Sequence, residues 1–292
     1  MTSGVVAVTA ESGSAASNYP VNDNFLTGFA AGYSTPQTSP PGANLSCRPS
    51  TAHPDPVVLV HGTFENQDDN WQALSPLLAN SGYCVYSLNY GGITPTAPAQ
   101  GTGDIPTSAA QLARLVDHVL ATTHAAKVDI VGHSQGGMMP RYYLNFLGGT
   151  SKVNDLVGLS PSNHGTTLFG LLTLAARTPG GTALINATCV SCAQQTAGSP
   201  FLHKLNAGGD TRPAVAYTVI ETAYDEVVTP YTSAFLTGPN VTNVTLQQQC
   251  PADFSDHLTT PYDPNALHDV LNALDPATAT PPTCVPVAPL IG

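Results

Sequence analysis

The sequence predicts an α/β fold with a mostly parallel central sheet flanked by helices. Two observations point there. From Pro56 onward, short β-branched runs alternate with segments of helical period, the pattern of crossover connections between parallel strands. The chain is 292 residues long and 42% hydrophobic, which supplies the core of one domain, or of one domain with a cap.

The elements follow in order. Residues 1–50 are rich in Ser, Pro, Gly and Ala, with PQTSPPG at 36–42, and predict an extended N-terminal segment clamped by Cys47. Residues 51–292 form the main domain. Strands are expected at 57–61, 84–89, 128–133, 155–159, 214–221 and 241–246, and helices at 71–80, 107–124, 135–147 and 265–274. In the 107–124 helix, Leu112, Leu115, Val116, Val119 and Leu120 fall on one apolar face that packs on a sheet. The 265–274 helix repeats the pattern with Leu267, Val270, Leu271 and Leu274, opened by Asp263-Pro264 and stopped by Pro276. Between 161 and 213 the periodicity loosens around the apolar piece 168–174. That segment reads either as an ordinary core helix or as a cap and acyl-binding wall, with Leu168 and Phe169 lining a pocket.

Charge and composition exclude several classes. A net charge of −11 rules out a basic nucleic-acid binder and disfavours anionic membranes. Only 9% of residues are charged, so Ser, Thr, Asn, Gln and backbone must wet the surface. No run approaches the roughly 20 apolar residues of a membrane span. The opening MTSGVVAVTAESGSAAS carries no Lys or Arg and fails as a signal peptide as it stands. Six cysteines can pair in about 15 ways, of which the consecutive scheme Cys47–Cys84, Cys189–Cys192 and Cys250–Cys284 is the neatest. The rival reading of 189–192 as a zinc or redox CxxC lacks a second CxxC or a paired His spacing. The sequons at Asn44, Asn186, Asn240 and Asn243 read as surface loops.

The chemistry concentrates at Gly132-His133-Ser134-Gln135-Gly136, a G-x-S-x-G match. Alone it is a weak signal. Here a strand run, Val128-Asp129-Ile130-Val131, leads into it and a helix opens after it, which is the context a nucleophile elbow requires. A serine hydroxyl needs a base, and the base needs an acid to hold its tautomer. Asp225 follows the 214–220 run, and His257 follows the last strand run and precedes the last helix, the order the elbow predicts. His268 lies inside the last helix, His164 and His203 precede Asp225, and His61 sits in an earlier turn. Glu226 is one residue off, while Asp253 and Asp256 lie after the last strand run. Two backbone N–H groups must hold the oxyanion of an acyl-transfer intermediate. Gln135 supplies one, and Thr63, in the turn after 57–60, the other. Phe64 is the alternative donor, or its ring lines the acyl site.

Taken together, VVLVHGTFEN at 57–66, VGHSQGG at 131–137, SNHGT at 162–166, YDEVVTP at 224–230 and DHLTTPYDPNAL at 256–267 resemble the secreted bacterial lipases and esterases of the α/β-hydrolase superfamily, close to the class 2 triacylglycerol lipases. The likeness covers about residues 45–275. It implies an α/β-hydrolase fold with a small cap or insertion after the sixth strand, a secreted monomer, and no metal or cofactor. It further implies hydrolysis of lipid-like or other apolar esters through an acyl-enzyme on Ser134, with His257 as base, Asp225 as its partner, and Thr63 and Gln135 as oxyanion donors. The same triad would serve an acyltransferase or a polyester depolymerase. A catalytically silent binding protein on this scaffold is the reading from another class.

Overall fold

A computed structural model describes residues 18–167, 170, 171, 175 and 189–290. Its helices and strands run α1 (Phe25–Tyr33), β1 (Val57–Val60), α2 (Leu74–Asn80), β2 (Val85–Leu88), α3 (Ile105–Thr123), β3 (Val128–His133), α4 (Gln135–Phe146), β4 (Val153–Leu159), α5 (Val190–Gln195), α6 (Pro200–Asn206), β5 (Ala216–Glu221), β6 (Val241–Thr245), α7 (Leu246–Gln249) and α8 (Pro264–Leu274). The six strands form one sheet in the order β2-β1-β3-β4-β5-β6. Every pairing is parallel.

Alternation of side chains across the pleat builds two cores. Val58, Val60 and Ile130 face the layer that holds Leu112 and Val116 of α3 and Met138 and Met139 of α4. Val57, Leu59 and Val131 face the layer of Leu74 and Leu78 of α2 and Leu267 and Val270 of α8. The strands are therefore covered on both sides, as a parallel sheet demands. Because β2 lies to one side of β1 and all later strands to the other, the strand order reverses between β1 and β3. Ligands bind beyond the carboxyl ends of strands at such a switch point.

Local chemistry sets the helix ends. Asp104 caps α3 by accepting from Thr107 N–H at 3.0 Å, with a proline in the first turn, so the helix starts two residues before the expected 107. Asp263 caps α8 in the same way, accepting from Asn265 N–H at 2.8 Å.

Two expectations change. The N-terminal segment is not extended throughout: Asn24 caps α1, and Phe25, Phe29 and Tyr33 follow one another at contact along it. Its composition hid an aromatic repeat of four. The insertion follows β4, the fourth strand, and not a sixth. Within it, Phe201, Leu202 and Leu205 of α6 pack into the same core as Tyr142 and Tyr143 of α4, so this part of the insertion belongs to the body of the domain.

Disulfides join Cys47 to Cys84, Cys189 to Cys192 and Cys250 to Cys284. The first docks the N-terminal segment on the edge strand β2, where Asn44 N–H also donates to Val85 O. The third brings the C-terminal tail against the loop after β6. Asn265 exchanges two hydrogen bonds with the backbone of Val285, and Phe254 N–H donates to Val287 O. Among the described residues, no helix is long and apolar enough to cross a membrane.

Candidate active site

Ser134 stands between β3 and α4 with φ at +53°, strained for a residue with a side chain. The turn closes because glycines flank it. A Cβ on Gly132 would lie 1.9 Å from Gly136 O, and one on Gly136 would lie 2.0 Å from Val60 O. Gln135 opens α4, so the positive end of that helix faces the serine.

The loop after β5 carries Asp225, and the loop after β6 carries His257. His257 Nδ1 lies 2.7 Å from Asp225 Oδ2, and both side chains are wholly buried. The other carboxylate oxygen of Asp225 accepts from Val227 N–H at 2.8 Å and Val228 N–H at 2.7 Å. Burial by itself would raise the Asp225 carboxyl, but the His257 charge and hydrogen bonds from His257, Glu221 and Val228 N–H hold it below its ordinary value. Burial likewise opposes charge on His257, and Asp225 outweighs it, raising the imidazole above its ordinary value. His257 Nε2 is buried and has no hydrogen-bond partner among the described residues. The Ser134 turn and the His257 loop meet at His133, whose ring lies 5.0 Å from that of His257 and whose Nε2 lies 2.9 Å from His257 O.

Thr63 follows β1 and comes together with Gln135. Thr63 Oγ1 donates to Gln135 Oε1 at 3.2 Å. Phe64 N–H donates to Gln100 O at 2.9 Å, which commits it elsewhere, and its ring is wholly buried beside Leu59 and Val131. Leu168 and Phe169 lie outside the described residues. The other histidines are engaged away from Asp225. His61 stacks on Tyr90, its pKa lowered by burial to about 4; His164 bridges Ser233 O and Asp210; His268 holds Thr280 O; His203 is exposed at the end of α6. Among the described residues, no group of three His, Cys, Asp or Glu side chains is arranged to hold a metal.

Sequence reasoning missed Gln195. From the end of α5 its Nε2 donates to Thr63 Oγ1 at 3.0 Å and to Gln135 Oε1 at 2.8 Å, while its Oε1 accepts from Ser162 Oγ at 2.9 Å. Nothing local marks it, because its partners lie 132, 60 and 33 residues away. Glu65 was missed as well; its carboxylate contacts the other nitrogen of the His133 ring.

A family model described as class 2 lipase matches residues 54–265. Over 92 residues the chain is 39% identical to a triacylglycerol lipase of Pseudarthrobacter phenanthrenivorans, covering 30% of this chain and 27% of that one. Lipase B of Pseudozyma antarctica is 30% identical over 204 residues, 65% of this chain and 52% of its own length. The chain thus spans between about a quarter and a half of these relatives. The crystal structure of Aspergillus fumigatus lipase B superposes with a TM-score of 0.64 at 23% identity, covering 84% of this chain and 56% of that one, and shares the fold.

Proposed function

The chain belongs to the class 2 lipase family, and from that premise we propose that it is a secreted serine hydrolase that cleaves carboxylic esters with apolar acyl groups. The observation that carries this reading is the buried 2.7 Å contact between Asp225 and His257, whose carbonyl oxygen lies 2.9 Å from Nε2 of His133, the neighbour of a serine on a strained strand-to-helix turn. In this scheme Ser134 Oγ attacks the ester carbonyl and His257 Nε2 takes its proton. Asp225 holds the tautomer and stabilises the imidazolium. The oxyanion receives the backbone N–H groups of Thr63 and Gln135. Collapse of the intermediate expels the alcohol, which leaves with the proton from His257, and a water then repeats the cycle on the acyl-enzyme. The free Nε2 of His257 suits this role, since a base must have an open lone pair. Three disulfides and an absence of free cysteine among the described residues support an oxidising compartment.

The test is hydrolysis of p-nitrophenyl esters from acetate to palmitate, alongside labelling with a fluorophosphonate. The protein should cleave part of the series and be labelled, and Ser134→Ala should lose nearly all of both. Neither cleavage nor labelling in the unaltered protein would sink the assignment.

A further inference from the structure

A second buried carboxylate and imidazole stand behind the triad, and the mechanism above does not use them. Glu65 and His133 are each about 1% exposed. Glu65 Oε2 lies 2.8 Å from His133 Nδ1 and also accepts from Gly62 N–H at 3.0 Å. Across the ring, His133 Nε2 meets the carbonyl oxygen of His257 at 2.9 Å. Asn70 completes the group, with Oδ1 accepting from Gly62 N–H at 3.0 Å and Nδ2 lying 3.2 Å from His133 Nδ1.

Proton accounting fixes what the pair does. A carbonyl oxygen only accepts, so His133 Nε2 must carry a hydrogen. The link between Nδ1 and Glu65 Oε2 holds one further proton, on either the ring or the carboxyl, and the pair as a unit has no net charge. Such a neutral, hydrogen-bonded unit is the form in which ionisable groups are tolerated in an interior. It fits tightly: a Cβ on Gly62 would lie 2.3 Å from Glu65 Oε2.

The contacts join three segments that are distant in sequence. Gly62 precedes Thr63, His133 precedes Ser134, and the carbonyl belongs to His257 itself. Asp225 fixes how the His257 ring is turned; nothing in that contact fixes the main chain from which the ring hangs. We propose that Glu65 and His133 form a positioning pair that registers the backbone of His257 and the Gly62–Thr63 turn to Ser134, so that base, nucleophile and oxyanion donor are held by one hydrogen-bonded bridge. This rests on the hydrolase reading given above. The bridge touches no reacting atom and acts through His257 and Gly62.

Glu65→Gln tests it without altering shape. One oxygen of Glu65 meets both Gly62 N–H and His133 Nδ1; with the neutral ring keeping its hydrogen on Nε2, an amide oxygen there faces the Nδ1 lone pair, and an amide nitrogen there cannot accept from Gly62. Turnover of p-nitrophenyl butyrate is measured in the unaltered protein, Ser134→Ala, Glu65→Gln, His133→Gln and the double variant, with a thermal melt of each. Glu65→Gln and His133→Gln should each lower kcat about tenfold to a hundredfold with KM within about twofold, the signature of misaligned chemistry. The double variant should lose clearly less than the product of the two single losses, because Glu65 and His133 hold one bridge. The low-field proton resonance of the His257 Nδ1–Asp225 bond should shift in both single variants, which a purely structural contact remote from the base would not cause. If His133→Gln does not fold, Glu65→Gln alone decides. A folded Glu65→Gln with unaltered kcat overturns the proposal, as does an additive double variant. Loss of activity confined to Ser134→Ala would leave the hydrolase reading standing without the bridge, whereas inactivity of the unaltered protein would remove both.

Discussion

Gln195 reaches out of the insertion to donate to Thr63 Oγ1 at 3.0 Å, and the same nitrogen donates to Gln135 Oε1 at 2.8 Å. One amide thus couples the two residues whose backbone N–H groups are proposed to bind the oxyanion. Gln195→Ala would leave Ser162 Oγ without its acceptor and take a donor from Thr63 Oγ1 and Gln135 Oε1, which keep only their bond to each other, at a cost of about 1 to 3 kcal/mol. The expected outcome is a melting temperature lower by several degrees and a kcat on p-nitrophenyl butyrate lower by about tenfold. Gln195→Glu should be worse, since it removes the donor and sets a negative charge beside the developing oxyanion.

Asp225→Asn keeps the size of the side chain but cannot hold the imidazole in the same tautomer. By analogy with other triads, kcat should fall by about ten-thousandfold while the fold persists. A steady-state comparison with Ser134→Ala and a far-ultraviolet melt check it. Retention of more than a tenth of the activity would mean that another acid serves His257.

Activity and stability should respond to pH in opposite directions. The His257 imidazole is raised above 6.5, burial opposing and Asp225 prevailing, so kcat/KM should fall on acidification with a midpoint above pH 6.5. Stability follows the buried carboxyls. Burial, then the charge of Asp253, pushes Asp263 up to about 8, and burial pushes Asp155 and Asp269 up to about 6. A folded-state pKa above the unfolded one contributes stability below about pH 4 that is lost as pH rises through the folded value. Melting temperature should therefore be higher at pH 5 than at pH 8. Asp263→Asn, which retains an N-capping oxygen, should shrink the difference.

The outer disulfides close spans of 37 and 34 residues, and the inner one a span of three. Loop entropy assigns about 4 kcal/mol to each outer bond and about 2 to the inner one. Replacing Cys250 and Cys284 together by Ser should lower the denaturation midpoint more than replacing Cys189 and Cys192. The reverse order would show that strain or residual structure dominates.

Much of this was legible in the sequence because it rests on local patterns. The apolar face of α3, the Asp263-Pro264 cap of α8 and the glycines around Ser134 each declare themselves within a few residues. The order of Ser134, Asp225 and His257 along the chain follows from the elbow. What was hidden depends on distant contacts or on a misleading background. Phe25, Phe29 and Tyr33 build α1 amid a Ser- and Pro-rich stretch that reads as extended. Gln195 carries no motif, and Glu65, although it lies within the 57–66 run, shows no role there, since the partners of both are set by the sheet order and not by spacing. The insertion was assigned to a sixth strand by analogy, whereas this sheet reaches it after four.

The tail beyond Cys284 is tied to Asn265 and to the backbone at Phe254, three residues before His257. The core face of α8 rests on Leu267 and Val270, whereas the tail holds the helix only at its first turn, through Asn265. Breaking these tail contacts should therefore lower kcat more than it lowers the melting temperature. Residues well downstream of His257 thus act as a latch on the loop that carries it.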